Sequence, residues 1–257
     1  MDILHSIIIG IVEGITEFLP ISSTAHMVLA AKVLNIAQSD FVKSFEIIIQ
    51  FGAILSVLVL YWRRFLVDSE SLKRVLAAFI PTAILGFALY KFIKGYLISN
   101  ETIIVWSLLL GGIILIIFEL FHKESDTAVE DISKIPYSKC ITIGLFQSLA
   151  MFPGVSRSAA TIIGGLTLGL KRKTIVEFSF LLAVPTMLAA SVLDILKTGS
   201  SFTVNQVGVL AVGFVVSFVV ALLSIKFLLR YIEKHSFIPF GVYRIIIALI
   251  FMFGLFR

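Results

Sequence analysis

The sequence has little charge, and this shortage excludes most soluble classes of protein. Only 14% of its 257 residues are charged, whereas 59% are hydrophobic and the mean hydropathy is +1.07. A soluble domain has about 25% charged and 45–50% apolar residues, so a single water-soluble globule is excluded. Disorder is excluded as well, because a disordered chain needs low hydrophobicity. The class that remains is an integral membrane protein built from packed helices.

Cysteine is also scarce, since Cys140 is the single one in the chain. Its isolation excludes an intramolecular disulfide and a cysteine-based metal site. The net charge of +5 would suit nucleic acid, but the Lys and Arg residues stand mostly between apolar runs, where topology signals occur. We therefore expect no nucleic-acid partner. The opening Met1-Asp2 has no basic segment, so we also expect no cleavable signal peptide.

Six apolar runs are long enough to span a membrane, which takes about 20 mostly apolar residues. They lie at 43–62, 73–94, 102–121, 174–196, 205–229 and 238–256. Two other apolar segments, 3–19 and 137–152, are too short to cross and end at Pro20 and Pro153. Each is followed by a serine-rich patch and a short predicted helix. Short, interrupted segments at matching places in two halves are typical of a binding site at the bilayer midplane.

The two halves of the chain resemble each other at an offset of roughly 134 residues. The matching segments are 9–13 with 143–147, and 18–23 with 151–158. We predict a single membrane domain made of two repeats, 1–122 and 123–257. Chance similarity between apolar segments is the alternative, and the paired Pro–Ser patches argue against it.

If each short pair dips into the membrane and returns, each repeat crosses three times, so the second repeat is inverted. One side then carries 12 basic residues and the other 5. The richer side holds Arg63, Arg64, Lys73, Arg74, Lys123, Lys134, Lys139, Lys171, Arg172, Lys173, Arg230 and Lys234; the poorer side holds Lys43, Lys91, Lys94, Lys197 and Arg257. The positive-inside rule places the richer side in the cytoplasm and both termini outside. The predicted fold is an all-α polytopic membrane protein, an inverted repeat with six transmembrane helices and two re-entrant helix–loop–helix pairs.

The first polar patch begins with Glu13 and Glu17, which are four residues apart and share one helix face. Two carboxylates in a low-dielectric site repel each other, so either one is protonated or a cation lies between them. Mg²⁺ and Ca²⁺ prefer carboxylate oxygens, and Mg²⁺ often adds phosphate oxygens. We predict a divalent cation, Mg²⁺ or Ca²⁺, at Glu13 and Glu17. An aqueous vestibule or a proton relay is the alternative.

Three hydroxyls and a histidine complete this patch. Ser22, Ser23 and Thr24 follow Pro20 at the predicted start of a helix, where one hydroxyl caps the helix and the free N–H groups suit an anion. A spare hydroxyl can act as a nucleophile, and Ser23 is the first choice. His26 can activate it as a base, act as an acid or nucleophile, or serve as a structural hydrogen-bond partner.

The second patch centres on Arg157, which stands between uncharged runs next to Ser156 and Ser158. Burial of Arg at membrane depth costs at least about 2.5–3.5 kcal/mol, so the side chain needs an acidic partner or a bound anion. Its fork matches phosphate. A structural ion pair with Glu13 or Glu17 is the alternative, but it leaves the hydroxyls of both patches unexplained.

Other polar residues receive weaker assignments. Glu46, Gln50 and Glu177 are predicted to face the same cavity, and Asp194 and Arg244 are interpreted as charges at the membrane edge. The segment 122–139 is mixed in charge and is interpreted as a solvated linker.

Segments 13–26 and 153–161 closely resemble the two signature motifs of the undecaprenyl-diphosphate phosphatases, the bacterial bacitracin-resistance family. The resemblance runs along most of the chain and departs from the family pattern at Ala25 and Ala159, where Gly is usual. It implies the same fold of six spanning helices and two re-entrant pairs. It also implies hydrolysis of undecaprenyl diphosphate to undecaprenyl phosphate and phosphate, which recycles the lipid carrier for peptidoglycan synthesis.

The resemblance also assigns roles to residues. The catalytic candidates are Glu17, Ser23, His26 and Arg157; the substrate-binding candidates are Ser22, Thr24, Ser156, Ser158, Thr161 and Gln50; the metal candidates are Glu13 and Glu17. The expected partners are a polyprenyl diphosphate and membrane lipids, and the pattern allows a homo-oligomer. The expected location is the bacterial inner membrane, with the active site opening to the periplasm. A lipid-carrier flippase or ion-coupled transporter is the rival function, because inverted repeats with broken helices are typical of transporters.

Overall fold

A computed structural model describes residues 1–37, 39–97, 100–198 and 204–255 of the chain. Within these ranges the chain is helical, and its β pairing is limited to an isolated bridge between Val129 and Leu170. The helices are α1 (Ile3–Thr16), α2 (Ser23–Val33), α3 (Asp40–Leu60), α4 (Trp62–Leu66), α5 (Ser69–Phe92), α6 (Glu101–Phe121), α7 (Tyr137–Ser148), α8 (Arg157–Thr167), α9 (Arg172–Thr198), α10 (Val204–Ile232) and α11 (Ile238–Leu255). The all-helical class predicted from the sequence is confirmed.

Five helices of the described chain are long and apolar enough to cross a membrane. Their apolar segments are Phe41–Leu60, Ser69–Phe92, Glu101–Phe121, Arg172–Val192 and Gln206–Ile232. The sixth predicted span coincides with α11, which is apolar but has only 18 residues. The protein is therefore a multi-pass membrane protein, and each predicted span corresponds to a helix.

The four helices of the two interrupted segments are much shorter. Helices α1, α2, α7 and α8 have 14, 11, 12 and 11 residues. At about 1.5 Å per residue they are roughly 16–21 Å long, whereas the hydrocarbon core of a bilayer is about 30 Å thick. None of the four is long enough to cross it alone.

Polar caps determine where several helices begin. The side chains of Asp2, Ser39, Asp68 and Asn100 each accept a hydrogen bond from the backbone N–H three residues later. Such caps satisfy a donor that the first helical turn leaves unpaired and stabilise a helix by about 1 kcal/mol.

The two halves of the chain share one packed core. Helix α1 packs against α10 of the second half, and α7 packs against α5 of the first half. Helix α3 contacts α9, and α6 contacts α11. One buried apolar cluster contains Phe18 and Val57 as well as Phe178 and Phe237. Each half therefore covers apolar surface of the other, and α1 and α7 each pack one face against a long helix of the other half.

The interpretation of residues 122–139 as a solvated linker is wrong for the second part of the segment. Ile132 and Ile135 are buried in the main core, and Val129 pairs with the backbone around Leu170. The sequence did not indicate these buried residues, because isolated apolar residues within a segment of mixed charge give no periodic signal.

Candidate functional site

The site is built on two turns of matching geometry. Each turn joins two short helices and ends at a serine, Ser22 before α2 and Ser156 before α8. Both serines have left-handed backbone conformations, with φ of 73° and 78°, which are uncommon outside glycine. The hydroxyl of each accepts a hydrogen bond from the N–H three residues on, at 3.5 Å in α2 and 3.3 Å in α8. The two helices therefore begin in the same way.

The two turns are bonded directly to each other. The Ser158 hydroxyl donates to the carbonyl oxygen of Leu19 at 2.8 Å. Because that hydroxyl uses its proton on a carbonyl, Ser156 donates to Ser158 across 3.1 Å. Gly154 has φ of +95°, and a Cβ there would overlap the carbonyl oxygen of Ile104 on α6. The second turn therefore requires glycine both for conformation and for space.

A carboxylate links a guanidinium to a hydroxyl at this junction. Arg157 donates from Nη2 to Glu17 Oε1 at 2.9 Å, and the Ser23 hydroxyl donates to Glu17 Oε2 at 2.6 Å. The side chains of Arg157 and Glu17 are 12% and 5% exposed, and Ser23 is buried. The sequence-predicted residues Glu17, Ser23 and Arg157 therefore meet in one buried hydrogen-bonded chain.

Ser179 of α9 holds the other side of the guanidinium and was not predicted as a site residue. Arg157 Nη1 donates to the Ser179 carbonyl at 2.7 Å and to its hydroxyl at 3.2 Å. Thr161, a predicted substrate-binding residue, is fully buried and lies 2.6 Å from the Ser179 hydroxyl. It therefore supports Ser179. The buried Nε of Arg157 has no partner among the described residues, so one donor of the fork is free for a ligand.

The hydrogen-bond partners of His26 are Ser22 and Tyr243 and do not include Ser23. Its Nδ1 lies 2.7 Å from the carbonyl oxygen of Ser22, and its Nε2 lies 2.9 Å from the hydroxyl of Tyr243 on α11. The rings of His26 and Tyr243 stack with planes 7° apart. The expected activation of Ser23 by His26 is not the arrangement found, because the partner of Ser23 is Glu17. Tyr243 was not predicted as a site residue; it lies beside Arg244 in a run that is otherwise apolar.

Glu13 is completely buried, and neither of its carboxylate oxygens has a hydrogen-bond partner among the described residues. It lies one turn before Glu17 on α1, and the charges of Glu17, Glu46 and Arg157 act on it. No group of three or more His, Cys, Asp or Glu side chains positioned to hold a metal ion occurs within the described ranges. A cation here would therefore take Glu13 and Glu17 as its protein ligands and complete its shell with oxygens from elsewhere, as Mg²⁺ does with phosphate.

The interpretation of Arg244 as a charge at the membrane edge is wrong. Arg244 is fully buried, and its guanidinium donates to five backbone carbonyls. These acceptors, at 2.9–3.3 Å, belong to Pro20 in the first turn, Gly154 and Val155 in the second, and Ser107 and Leu108 on α6. Carbonyl dipoles thus replace the carboxylate that a buried Arg usually requires. The side chain of Asp194 lies outside the described part of the chain.

Three other predicted residues stand apart from this network. Thr24 and Gln50 are half-buried, and no hydrogen bond within the described ranges joins either side chain to the cluster. The charges that act on Glu177 are those of Lys173 and Arg64, so Glu177 belongs to a different environment from Glu13 and Glu46.

Together, the fold and the site define a polytopic helical membrane protein whose interior holds carboxylates, hydroxyls and a guanidinium, a set suited to a phosphate-bearing lipid. The chain belongs to the family of bacitracin resistance protein BacA, whose family model matches residues 6–250. The resemblance inferred from the two motifs is therefore confirmed.

Three relatives share nearly the full length of the chain. It is 53% identical over 251 residues to a protein of Sulfurihydrogenibium sp. (strain YO3AOP1) named undecaprenyl-diphosphatase, with 98% of each chain covered. A protein of the same name from Aquifex aeolicus is 53% identical over 247 residues, with 96% of each covered. Another from Wolinella succinogenes is 48% identical over 255 residues, with 99% of each covered.

Proposed function

We propose that the protein hydrolyses undecaprenyl diphosphate to undecaprenyl phosphate and phosphate, and so recycles the lipid carrier for cell-wall synthesis. The observation that carries this proposal is the buried chain Ser23–Glu17–Arg157, which joins a hydroxyl, a carboxylate and a guanidinium between the two turns. Membership of the BacA family and the names of full-length relatives support it. A carrier that only moves lipid has no need for a hydroxyl hydrogen-bonded to a carboxylate at 2.6 Å.

Ser23 is the nucleophile in the mechanism that the geometry favours. Its Oγ attacks the terminal phosphorus while its proton passes to Glu17 Oε2, and the bond from phosphorus to the bridging oxygen breaks to release undecaprenyl phosphate. Water then cleaves the phosphoserine and gives inorganic phosphate. Direct attack by water, with Glu17 or His26 as base, is the alternative route to the same products.

Arg157 and the helix starts neutralise the transferred group. Phosphoryl transfer depends mostly on positioning and on compensation of charge. The Nε–H of Arg157 has no partner within the ranges that the structure describes. Exchange of the Nη2 contact from Glu17 to the diphosphate would leave Glu17 free to accept the Ser23 proton. The N–H groups at the start of α2 and α8 add further donors for an anion.

A divalent cation, Mg²⁺ or Ca²⁺, fits the acidic end of the site. Glu13 and Glu17 would hold it, since the two Glu13 oxygens are buried without a hydrogen-bond partner in the described part of the chain. When bound, the cation would neutralise charge on the diphosphate oxygens. Glu46 acts electrostatically on the same place and adds to its preference for a positive ion.

The proposed membrane arrangement is an inverted repeat with two re-entrant pairs, α1–α2 and α7–α8. The short lengths of these helices support it. The packing between halves supports it as well, because α1 of the first half contacts α10 of the second and α7 of the second contacts α5 of the first. The distribution of Lys and Arg favours an orientation in which both termini and the opening of the site lie on the periplasmic side of the inner membrane. The polyprenyl tail would leave between helices into the lipid.

Release of phosphate from undecaprenyl diphosphate by the purified protein in detergent micelles tests the proposal. Micelles have a single aqueous compartment, so a flippase or transporter has no activity there, whereas a hydrolase does. We expect wild type to release phosphate and Arg157→Ala to lose the activity. Arg230→Ala, which removes an exposed arginine, is the matched control and should behave as wild type. Absence of phosphate release by wild type with either cation present would refute the proposed activity.

A further inference from the structure

We propose that Tyr243 is a positioning residue that fixes the tautomer and orientation of His26 in this active site. The inference rests on the proposed function, because it assigns a partner to one of its reactive side chains. Tyr243 lies on α11, far from His26 in the sequence, and its hydroxyl is 2.9 Å from His26 Nε2.

The tautomer follows from the atom on the other side of the ring. His26 Nδ1 lies 2.7 Å from the carbonyl oxygen of Ser22, and a carbonyl oxygen only accepts hydrogen bonds. In the neutral ring Nδ1 therefore carries the proton and Nε2 carries the lone pair. Tyr243 then donates its O–H to Nε2, so both ring nitrogens are engaged and the ring is held at two points.

Ring stacking adds a third restraint. The His26 and Tyr243 rings lie with centroids 5.5 Å apart and planes 7° apart. His26 is 8% exposed, whereas Tyr243 is 39% exposed, so the tyrosine is the more accessible of the two stacked rings. Rotation of the imidazole would break both hydrogen bonds and this contact.

The arrangement also gives the two bases of the site, Glu17 and His26, different proton-transfer roles. Ser23 donates its proton to Glu17, whereas Nε2 of His26 is bonded to Tyr243. Nε2 therefore keeps its lone pair and remains a base. It can accept a proton from water or from an oxygen of the lipid phosphate when the Tyr243 hydroxyl moves away from it. A histidine free to adopt the other tautomer would present a proton at Nε2 and lose this capacity.

Tyr243→Phe removes only the hydroxyl and keeps the stacked ring. We expect kcat for phosphate release to fall by about tenfold or more, which is part of the roughly 10²–10⁴-fold that a positioned general acid or base contributes. KM should stay within about twofold, because the tyrosine does not hold the diphosphate. Tyr231→Phe is the matched control: Tyr231 also stacks on a histidine, His235, at 4.5 Å and 17°, and its substitution should leave both constants unchanged.

A spectroscopic measurement tests the tautomer without turnover. The chain has four histidines, so ¹⁵N-histidine-labelled protein in lipid vesicles gives few solid-state NMR signals, and His26→Gln identifies those of His26. We expect an unprotonated Nε2 and a protonated Nδ1 in wild type, and a shifted Nε2 signal in Tyr243→Phe. A protonated Nε2 in wild type, or an unchanged kcat in Tyr243→Phe while wild type hydrolyses the lipid, would overturn the inference. Failure of wild type to hydrolyse the lipid would refute the proposed function instead.

Discussion

Glu17 joins the guanidinium and the hydroxyl of the site through its two carboxylate oxygens. One carboxylate oxygen accepts from Arg157 and the other from Ser23, so its charge both restrains the guanidinium and polarises the hydroxyl. Loss of one partner from a buried charged pair is costly because the other charge stays uncompensated. The site is therefore more sensitive to the charge of Glu17 than to its volume.

Glu17→Gln should abolish most of the phosphate release and flatten its dependence on divalent cation. The amide keeps the shape but accepts no proton from Ser23 and offers a metal only one oxygen. The measurement is a titration of activity with Mg²⁺ and Ca²⁺ for wild type and variant, with Glu13→Gln alongside. Glu13→Gln should weaken the apparent affinity for the cation while leaving the Ser23 contact in place. A Glu17→Gln variant with the wild-type curve would contradict both roles.

The two neighbouring hydroxyls Ser23 and Thr24 should differ strongly in their effects. Ser23→Ala removes the hydroxyl that donates to Glu17 and should lower kcat by at least about 100-fold. Thr24→Ala removes a side chain with no bond to the cluster within the described ranges and should change kcat by less than about threefold. Steady-state phosphate release measures both. Equal losses in the two variants would point to a disturbed helix start as the common cause.

At the scale of elements, α11 fastens the two turns together through Arg244. Its guanidinium reaches Pro20 O in one turn and Gly154 O in the other at 3.2 and 2.9 Å. Gly111 on α6 provides the space, because a Cβ there would overlap Nη2 of Arg244. The short helices are thus held at their tips by a third element.

Gly111→Ala should therefore destabilise the protein and lower its activity, although alanine favours a helix over glycine by about 1 kcal/mol. Displacement of a fully bonded buried guanidinium costs more, roughly 1–3 kcal/mol. Gly208→Ala is the matched control, since a Cβ there meets nothing within 4 Å, and its midpoint of thermal unfolding should be equal or higher. Thermal unfolding in detergent measures both. A stabilised and fully active Gly111→Ala variant would show that Arg244 moves freely.

Asp68, outside the spanning segments, gives the start of α5 a pH-dependent stability. Partial burial alone would raise its pKa, but hydrogen bonds from Ser71 and Arg64 outweigh that effect and lower the pKa to about 2. A depressed carboxyl pKa contributes stability that is complete above the unfolded value of about 3.9 and is lost as the pH falls toward 2. Asp68→Ala should lower the unfolding midpoint at pH 7, with a difference that shrinks below pH 4. Asp68→Asn, which keeps the cap, should lie between.

At the scale of the whole molecule, the sequence predicts where the helices lie along the chain better than which face of each helix turns toward the interior. The helices at the six predicted spans and at the two interrupted segments were recognisable because length and hydropathy determine them. The ion pair of Arg157 with Glu17 is the alternative that the sequence left open beside phosphate binding, because a charge at membrane depth requires a partner. Tyr243, Arg244 and Ser179 were missed, since α9 and α11 are apolar on most faces and hydropathy does not indicate which face turns inward. For Arg244, the cost of burying a charge was the signal that could have been followed.

The arrangement of the whole chain in the membrane makes a prediction that depends on no single site residue. In a re-entrant pair the chain before and after the pair lies on the same side of the membrane, whereas a pair that crosses would separate its ends. Single cysteines in a Cys140→Ser background report the side by labelling intact cells with an impermeant maleimide. Leu4→Cys and Ala37→Cys, both at exposed positions around the first pair, should be labelled from outside. Ser125→Cys and Lys173→Cys, exposed around the second pair, should be labelled only after permeabilisation.

Each outcome of this labelling has a direct physical meaning. Ends of one pair on opposite sides would make that pair a crossing and would remove the parity argument that inverts the second half. A labelling pattern in which both pairs open to the same side of the membrane would contradict the inversion of the second half, although each pair would still be re-entrant. The expected pattern, with the first pair open to the outside and the second to the cytoplasm, is the one in which Glu17 and Arg157 approach each other from opposite leaflets. Their 2.9 Å contact then lies deep within the membrane, where water is scarce and each charge depends on the other or on a bound phosphate for its compensation.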